Sequence, residues 1–351
     1  MNRLRNKSNR RGITRVEVIV ALVACLLLAM LFAPSVPYQR RRASGLYCLN
    51  NMRQVSLALQ NFASGNGGQL PALTSSLKMG SSPEQVGPTI GWPIALLPAL
   101  DNGALFKQIR QNVVVESGRT RIGDAERVVV VQTYTCPQDL NSHKKPGKLS
   151  YVVNIGFISQ GLYHGDPDGK HVLGLLAWSG TPGDANAKAI QAATGVMWNS
   201  DSIVGSSLDY VSAGDGATST LLVTENLQAG DWHDTDSARI GFGFPVTNID
   251  GLVPLGKGEV FESVEKPLNT QFEGGTLATN KSQNWRINHD LKAKVGTLPR
   301  PSSNHPGGVN VMMCDGSGRS LSDKIDPHVY LKLLTPNGAT YGEGELRQSD
   351  Y

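Results

Sequence analysis

Hydrophobic positions along the chain fall into three regimes. Residues 18–33 read VIVALVACLLLAMLFA, and no charged side chain stands between Glu17 and Arg40. The 22 residues of that interval, 18–39, would reach about 33 Å as a helix at ~1.5 Å per residue, enough to cross a hydrocarbon core. Beyond it Leu46, Leu49, Met52, Val55, Leu59 and Phe62 recur every three or four residues, the spacing of one helical face. Gly65, Gly67 and Gly68 supply the left-handed stop. From Leu70 onward the period breaks into short β-branched and aromatic runs punctuated by Gly, Pro, Asn and Asp. Residues 113–115, 128–131, 151–153, 221–223 and 309–313 read as strands, and the apolar cluster at 92–109 as a helical turn or two. Polar, glycine-rich stretches at 161–170, 179–186 and 230–237 suit exposed loops. The expected fold is α+β: a long N-terminal helix, transmembrane in its first half, packed on a large, mostly antiparallel β domain. Four segments follow: a basic leader at 1–12, a transmembrane helix at 13–37, its continuation at 38–64, and a β-rich globular domain at 65–351.

Charge gives the apolar segment a direction. The net +4 owes much to Arg3, Arg5, Lys7, Arg10 and Arg11, which outweigh Arg40, Arg41 and Arg42 on the other side. The positive-inside rule therefore puts the N-terminus in the cytoplasm and the domain after Arg40 in the periplasm or at the cell surface, on a single-pass anchor in the cytoplasmic membrane. Outside the leader, 40–42 is the one basic cluster, which argues against nucleic acid as a partner. Apolar residues at 40% and charged residues at 18% of 351 are enough for a packed core. Of four cysteines, Cys25 lies in the apolar run and Cys314 in an expected strand. Cys48 and Cys136 remain as candidates for one disulfide in an oxidising compartment, the alternative being two buried thiols.

Glu17 is the charge that needs an explanation, because a carboxylate at the edge of an apolar helix is costly in lipid. The run Gly12-Ile13-Thr14-Arg15-Val16-Glu17 resembles the prepilin-type cleavage and methylation motif of type IV pilins and type II secretion pseudopilins. The resemblance implies a prepilin peptidase that cuts after Gly12, N-methylation of Ile13, and pairing of Glu17 with the terminal amine of a neighbouring pilin-like subunit. Pro34 resembles the kink proline of many pilins. Two other readings stay open: a conventional signal peptide cut near Ala33, and a lipoprotein box at residues 22–25 that would lipidate Cys25. Further blocks are Tyr47-Cys48-Leu49-Asn50-Asn51-Met52-Arg53-Gln54, Gly91-Trp92, Cys136-Pro137, Asp215-Gly216-Ala217-Thr218-Ser219-Thr220, Glu225-Asn226, and His305 followed after nine residues by Asp315-Gly316. Together they resemble a large bacterial family that joins a prepilin-type N-terminus to a domain of unknown function. Cys314 stands where that family usually has a small residue.

Chemistry is sparse. Gly-x-Ser-x-Gly, His-Glu-x-x-His and P-loop patterns are missing, and Ser75-Ser76-Leu77-Lys78 lacks the Lys-Thr-Gly partner of penicillin-binding enzymes. His305 to Leu321 reads as a hairpin with an Asp315-Gly316 turn in which both positions tolerate positive φ. Asp215, Gly216, His305, Asp315 and Gly316 are either turn formers or a binding site. Acidic loops at Asp166 and Asp168, and at Asp231, Asp234 and Asp236, are weak calcium candidates; otherwise no cofactor is expected. The reading is a non-enzymatic, membrane-anchored pilin or pseudopilin-like structural protein, with the lipid bilayer and other subunits as partners. The rival is an anchored carbohydrate-binding module or hydrolase. Convergence of His305, Asp215 and Asp315 on one pocket would favour that rival.

Overall fold

A computed structural model describes residues 14–32, 35–78, 86–116, 119–159, 192–198, 207–246 and 286–341. The leader, Gly12, Ile13, Pro34, Asp166, Asp168 and the loops at 161–170 and 179–186 lie outside the described residues. The chain divides into two compact units, Met1–Ser44 and Gly45–Tyr351.

In the first unit, helix α1 (Arg15–Phe32) begins with a reciprocal cap. The Thr14 backbone N–H donates to Glu17 Oε2 at 2.8 Å, and the Glu17 N–H donates to Thr14 Oγ1 at 3.3 Å. This is the Thr-x-x-Glu capping box, which satisfies two of the N–H groups that a helix start leaves without partners. The apolar side chains of α1 between Val16 and Leu28 are exposed. Among the described residues no helix is long and apolar enough to cross a membrane. The uncharged interval 18–39 passes through residues 33–34, so α1 holds only its first part.

Helix α2 (Ser35–Gly65) buries Cys48, Met52, Val55, Ala58, Leu59 and Ala63 in the second unit. That face is offset from the expected one: Leu46 is 67% exposed, Leu49 and Phe62 are only partly buried, and the stripe starts at Cys48. The helix closes as the glycines require. The Gly68 N–H reaches the Ala63 carbonyl at 2.8 Å, with φ of +64° at Gly67 and +83° at Gly68.

Two small hairpins precede the main sheet: β1 (Thr74–Lys78) with β2 (Val86–Gly91), and β3 (Val114–Glu116) with β4 (Arg119–Arg121). Between them, α3 (Trp92–Leu96) and α4 (Gly103–Gln111) supply the apolar cluster seen in the sequence. The main sheet has the order β7-β5-β6-β8-β9, from β5 (Tyr151–Ser159), β6 (Leu221–Glu225), β7 (Gly241–Val246), β8 (Gly308–Met313) and β9 (Gly318–Ser322). It is mixed rather than wholly antiparallel, because β5 and β7 run parallel while the other pairs are antiparallel. A parallel pair needs a long crossover, and the 81 residues between Ser159 and Gly241, 160–240, provide it and contribute β6 on the way. Every residue of β6 is buried, as expected of a central strand covered on both faces.

Residues 128–131 are not a strand. The Val129 carbonyl accepts the Gly147 N–H and the indole N–H of the buried Trp232, so the groups that would join a ladder are taken by loops. The same tryptophan anchors the 230–237 stretch, which is therefore a partly buried loop and not an exposed one.

Candidate functional site

Three segments that follow or precede main-sheet strands meet the start of the buried face of α2. Cys48, on α2, is bonded to Cys136, which follows a short 3₁₀ turn at Gln132–Tyr134, with the Cα atoms 4.8 Å apart. Both sulfurs are buried. Glu225, the last residue of β6, places Oε1 2.9 Å from His305 Nε2, and the same nitrogen lies 3.7 Å from Cys136 Sγ. The other carboxylate oxygen of Glu225 accepts the Asn310 backbone N–H at 2.9 Å. A carboxylate side chain only 3% exposed is stable only when paired in this way. The ligand atoms of Cys48, Cys136, Glu225 and His305 all lie within 4.8 Å of one another.

His305 is held by its loop. Its N–H donates to Ser303 Oγ at 3.0 Å, Ser303 Oγ–H donates to the Gly308 carbonyl at 2.8 Å, and Asn304 ties the loop to the Gln138 carbonyl. Gly307 has φ of +77°, and a Cβ on Gly308 would stand 2.0 Å from the Leu321 carbonyl oxygen. The glycines after Pro306 are thus needed for the backbone path that presents the imidazole. Tyr151, buried at the start of β5, donates its hydroxyl to the Cys48 carbonyl at 3.2 Å. Burial, followed by the nearby Glu225 charge, drives its phenol pKa well upward.

The other sequence-predicted residues serve separate places. Asp215 accepts the N–H groups of Gly338 and Ala339 at 2.7 and 3.2 Å, which fastens the segment after helix Pro327–Leu334. Burial raises its pKa, and those two amides partly offset the rise. Asp315 lies just past the end of β8, five residues after Asn310, whose side chain touches the His305 imidazole, so Asp315 and that contact are separated by roughly 17 Å at ~3.3 Å per strand residue. It accepts the Ser317 N–H at 2.8 Å inside the β8–β9 turn. There only Gly316 has positive φ, +84°; the Gly316 N–H to Met313 carbonyl bond places Asp315-Gly316 as the last two residues of an ordinary turn, not a primed one. His305 pairs with neither aspartate, while the Asp315 N–H donates to the carbonyl of Ala217, two residues after Asp215. Gly216, φ +98°, turns the chain toward Thr220, whose hydroxyl donates back to the Gly216 carbonyl. Cys314 is a buried free thiol whose pKa is raised by burial and by Asp315.

The acidic loop residues each have other partners. Asp231 pairs with Lys148 at 2.6 Å, Asp234 accepts the Asp231 N–H at 2.7 Å and faces Arg239, and Asp236 caps the short helix Ser237–Ile240 through the Ala238 N–H. A cavity of about 340 Å³ beside them is lined by Arg121, Arg127, His233 and Asp234. Its two arginines already face Asp124 at 2.7 and 3.6 Å. Glu225 entered the sequence reading only within the Glu225-Asn226 block, without a site role, and Asn310 was not singled out. A glutamate ending a short, largely apolar strand run was the available signal.

Fold and site define an α+β domain with a five-stranded mixed sheet, whose one cross-linked polar cluster, among the described residues, joins a helix to the sheet. Residues 40–328 match the family described as "protein of unknown function (DUF1559)", and the chain belongs to that family. No curated protein and no solved structure matches the chain.

Proposed function

We propose that the protein is a membrane-anchored, pilin or pseudopilin-like structural subunit, held by the interval 18–39 and exposing its α+β domain on the far side of the cytoplasmic membrane. The observation that carries this reading is α1, whose apolar side chains from Val16 to Leu28 are exposed. A helix apolar on all sides is unstable in water and calls for lipid or neighbouring helices. The basic leader sets the orientation, and the resemblance around Gly12, Ile13 and Glu17 suggests processing by a prepilin peptidase and assembly through the helix. The rival reading, a carbohydrate-binding module or hydrolase, would draw on His305 together with Asp215 and Asp315; the His305 imidazole instead pairs with Glu225.

Glu17 would have two successive partners: the Thr14 N–H within its own helix, and a neighbour's terminal amine after cleavage. Co-purification of tagged chains from membranes separates the two. Glu17→Ala removes both and should abolish recovery of partner subunits, whereas Thr14→Ala removes only the hydroxyl half of the cap and should leave recovery near that of the unsubstituted chain. Equal recovery for all three chains, or a mature protein that still begins at Met1 by mass spectrometry, would overturn the proposal.

A further inference from the structure

The cross-linked cluster has the composition of a metal site with its sulfurs joined. We propose that, once the bridge is reduced, Cys48, Cys136, His305 and Glu225 bind one divalent cation of the zinc type, so that the junction of α2 with the sheet can be closed by a disulfide or by a metal. Two thiolates, an imidazole and a carboxylate form a mixed sulfur, nitrogen and oxygen donor set that suits zinc and not calcium.

Distances agree with a tetrahedron. With Zn–S near 2.3 Å and Zn–N near 2.0–2.1 Å, the S···N edge of a tetrahedral site is about 3.5 Å. Cys136 Sγ and His305 Nε2 already stand 3.7 Å apart, and Glu225 Oε1 lies 2.9 Å from the same nitrogen. All four ligand atoms fall within 4.8 Å of one another, so the ion needs only small side-chain movements once the sulfurs part. An outer shell exists as well: the Asn310 N–H holds Glu225 Oε2, and Oε1 can turn to the ion by giving up its longer bond of 3.4 Å from the Asn310 side chain, which also lies 3.1 Å from His305 Nε2. Cys48, Cys136 and Glu225 are buried and the four ligands fill the coordination sphere, which defines a closed, structural site. In the bridged protein Nε2 of His305 faces Glu225. In the metal form the ion takes the position before Nε2, which requires the ring proton to be on Nδ1.

The exchange balances. One disulfide, one molecule of a phosphine reductant and one water give two thiols and one phosphine oxide, and binding of the divalent ion then releases the two thiol protons.

The test uses the full chain in detergent, carrying Cys25→Ala and Cys314→Ala so that no other thiol contributes. After reduction with a water-soluble phosphine and removal of the excess, cobalt(II) is titrated without oxygen and followed by absorbance. The expected result is a thiolate-to-cobalt band in the near ultraviolet with tetrahedral bands in the visible, saturating at one equivalent and displaced by zinc. The unreduced chain should give neither, and His305→Gln and Glu225→Gln should each weaken binding by about tenfold or more. The proposal is overturned if the reduced chain gives no thiolate band, if it binds no more tightly than a Cys48→Ser/Cys136→Ser variant, or if excess zinc does not restore native tryptophan fluorescence to a reduced chain that has lost it.

Discussion

Replacing both bridge cysteines, Cys48→Ala with Cys136→Ala, cuts a link between residues separated by 88 positions. In the chain-entropy description, a closed loop of that length raises the free energy of the unfolded ensemble by about 4.6 kcal/mol at 25 °C, close to the value for a 100-residue loop. The native contacts of the alanines differ little from those of the bridge, because both sites are enclosed and only two sulfur atoms are lost. Most of the effect should therefore come from the unfolded state. For a domain of this size about 2–4 °C accompanies each kcal/mol, so the melting temperature should fall by about 10 °C or more. The assay is urea unfolding of the full chain in detergent, read through the fluorescence of the buried Trp92 and Trp232. The midpoint should fall while the m-value stays the same or rises, since an uncrosslinked chain exposes at least as much surface on unfolding. A stability loss under about 1 kcal/mol would refute the reasoning: the bridge would then constrain neither state appreciably.

Two further outcomes follow from the turns. Asp215 has a folded-state pKa raised by burial, so the folded chain binds a proton more tightly than the unfolded one. Its contribution to stability is fully present below the ordinary aspartate value of about 3.9 and is lost as pH rises through the elevated folded value. The gap in stability between the unsubstituted chain and Asp215→Asn, measured by denaturant unfolding across that acidic window, should shift against the unsubstituted chain as pH rises; an opposite slope would show that the Gly338 and Ala339 amides outweigh burial. Gly316→Ala puts a Cβ at φ of +84° and 2.7 Å from Gln60 Nε2, which must let go of the Cys314 carbonyl. A loss of about 1–2 kcal/mol is expected from the left-handed backbone alone, and Gly316→Asn should lose less; equal stability of all three chains would mean that the turn can relax to another form.

Legibility in the sequence followed the local character of each signal. The end of α2 at Gly65 was readable because a helical period ran straight into glycines, and the central strands were readable because their apolar runs are short and bounded. The offset of the helix face was harder. Leu46 and Cys48 are only two positions apart, and which of them faces inward depends on the bridge and on the hydroxyl of Tyr151. Strand β5 extends to Ser159, well past the expected 151–153, because Asn154 and Gly156 look like strand breakers. Asn154 instead donates to the Leu221 and Leu334 carbonyls and accepts the Gly156 N–H, so a buried polar side chain stabilises the irregularity in the β5–β7 pairing. The four valines at 128–131 failed in the opposite sense: strand propensity was strong, but the Val129 carbonyl is taken by the Gly147 N–H and the Trp232 indole. The Glu225–His305 contact joins residues 80 positions apart, and no local pattern reports a distance of that kind.

Polar contacts along α2 fasten it to the sheet domain at two places. Cys48 and its carbonyl are tied to Cys136 and Tyr151, while Gln60 donates to the Cys314 carbonyl at 3.3 Å beside the β8–β9 turn. Those anchors are twelve positions apart on the helix, about 18 Å at ~1.5 Å per residue. One anchor would hold a position and leave the helix free to pivot; two anchors that far apart also fix its tilt against the sheet. Glu225 and His305 brace the first anchor from below, and the Asp315-Gly316 turn shapes the second. The His-x9-Asp-Gly hairpin thus contributes its two ends to two separate fastenings of one helix. β8 must be long enough to run from one fastening to the other, which sets the separation of His305 from Asp315-Gly316.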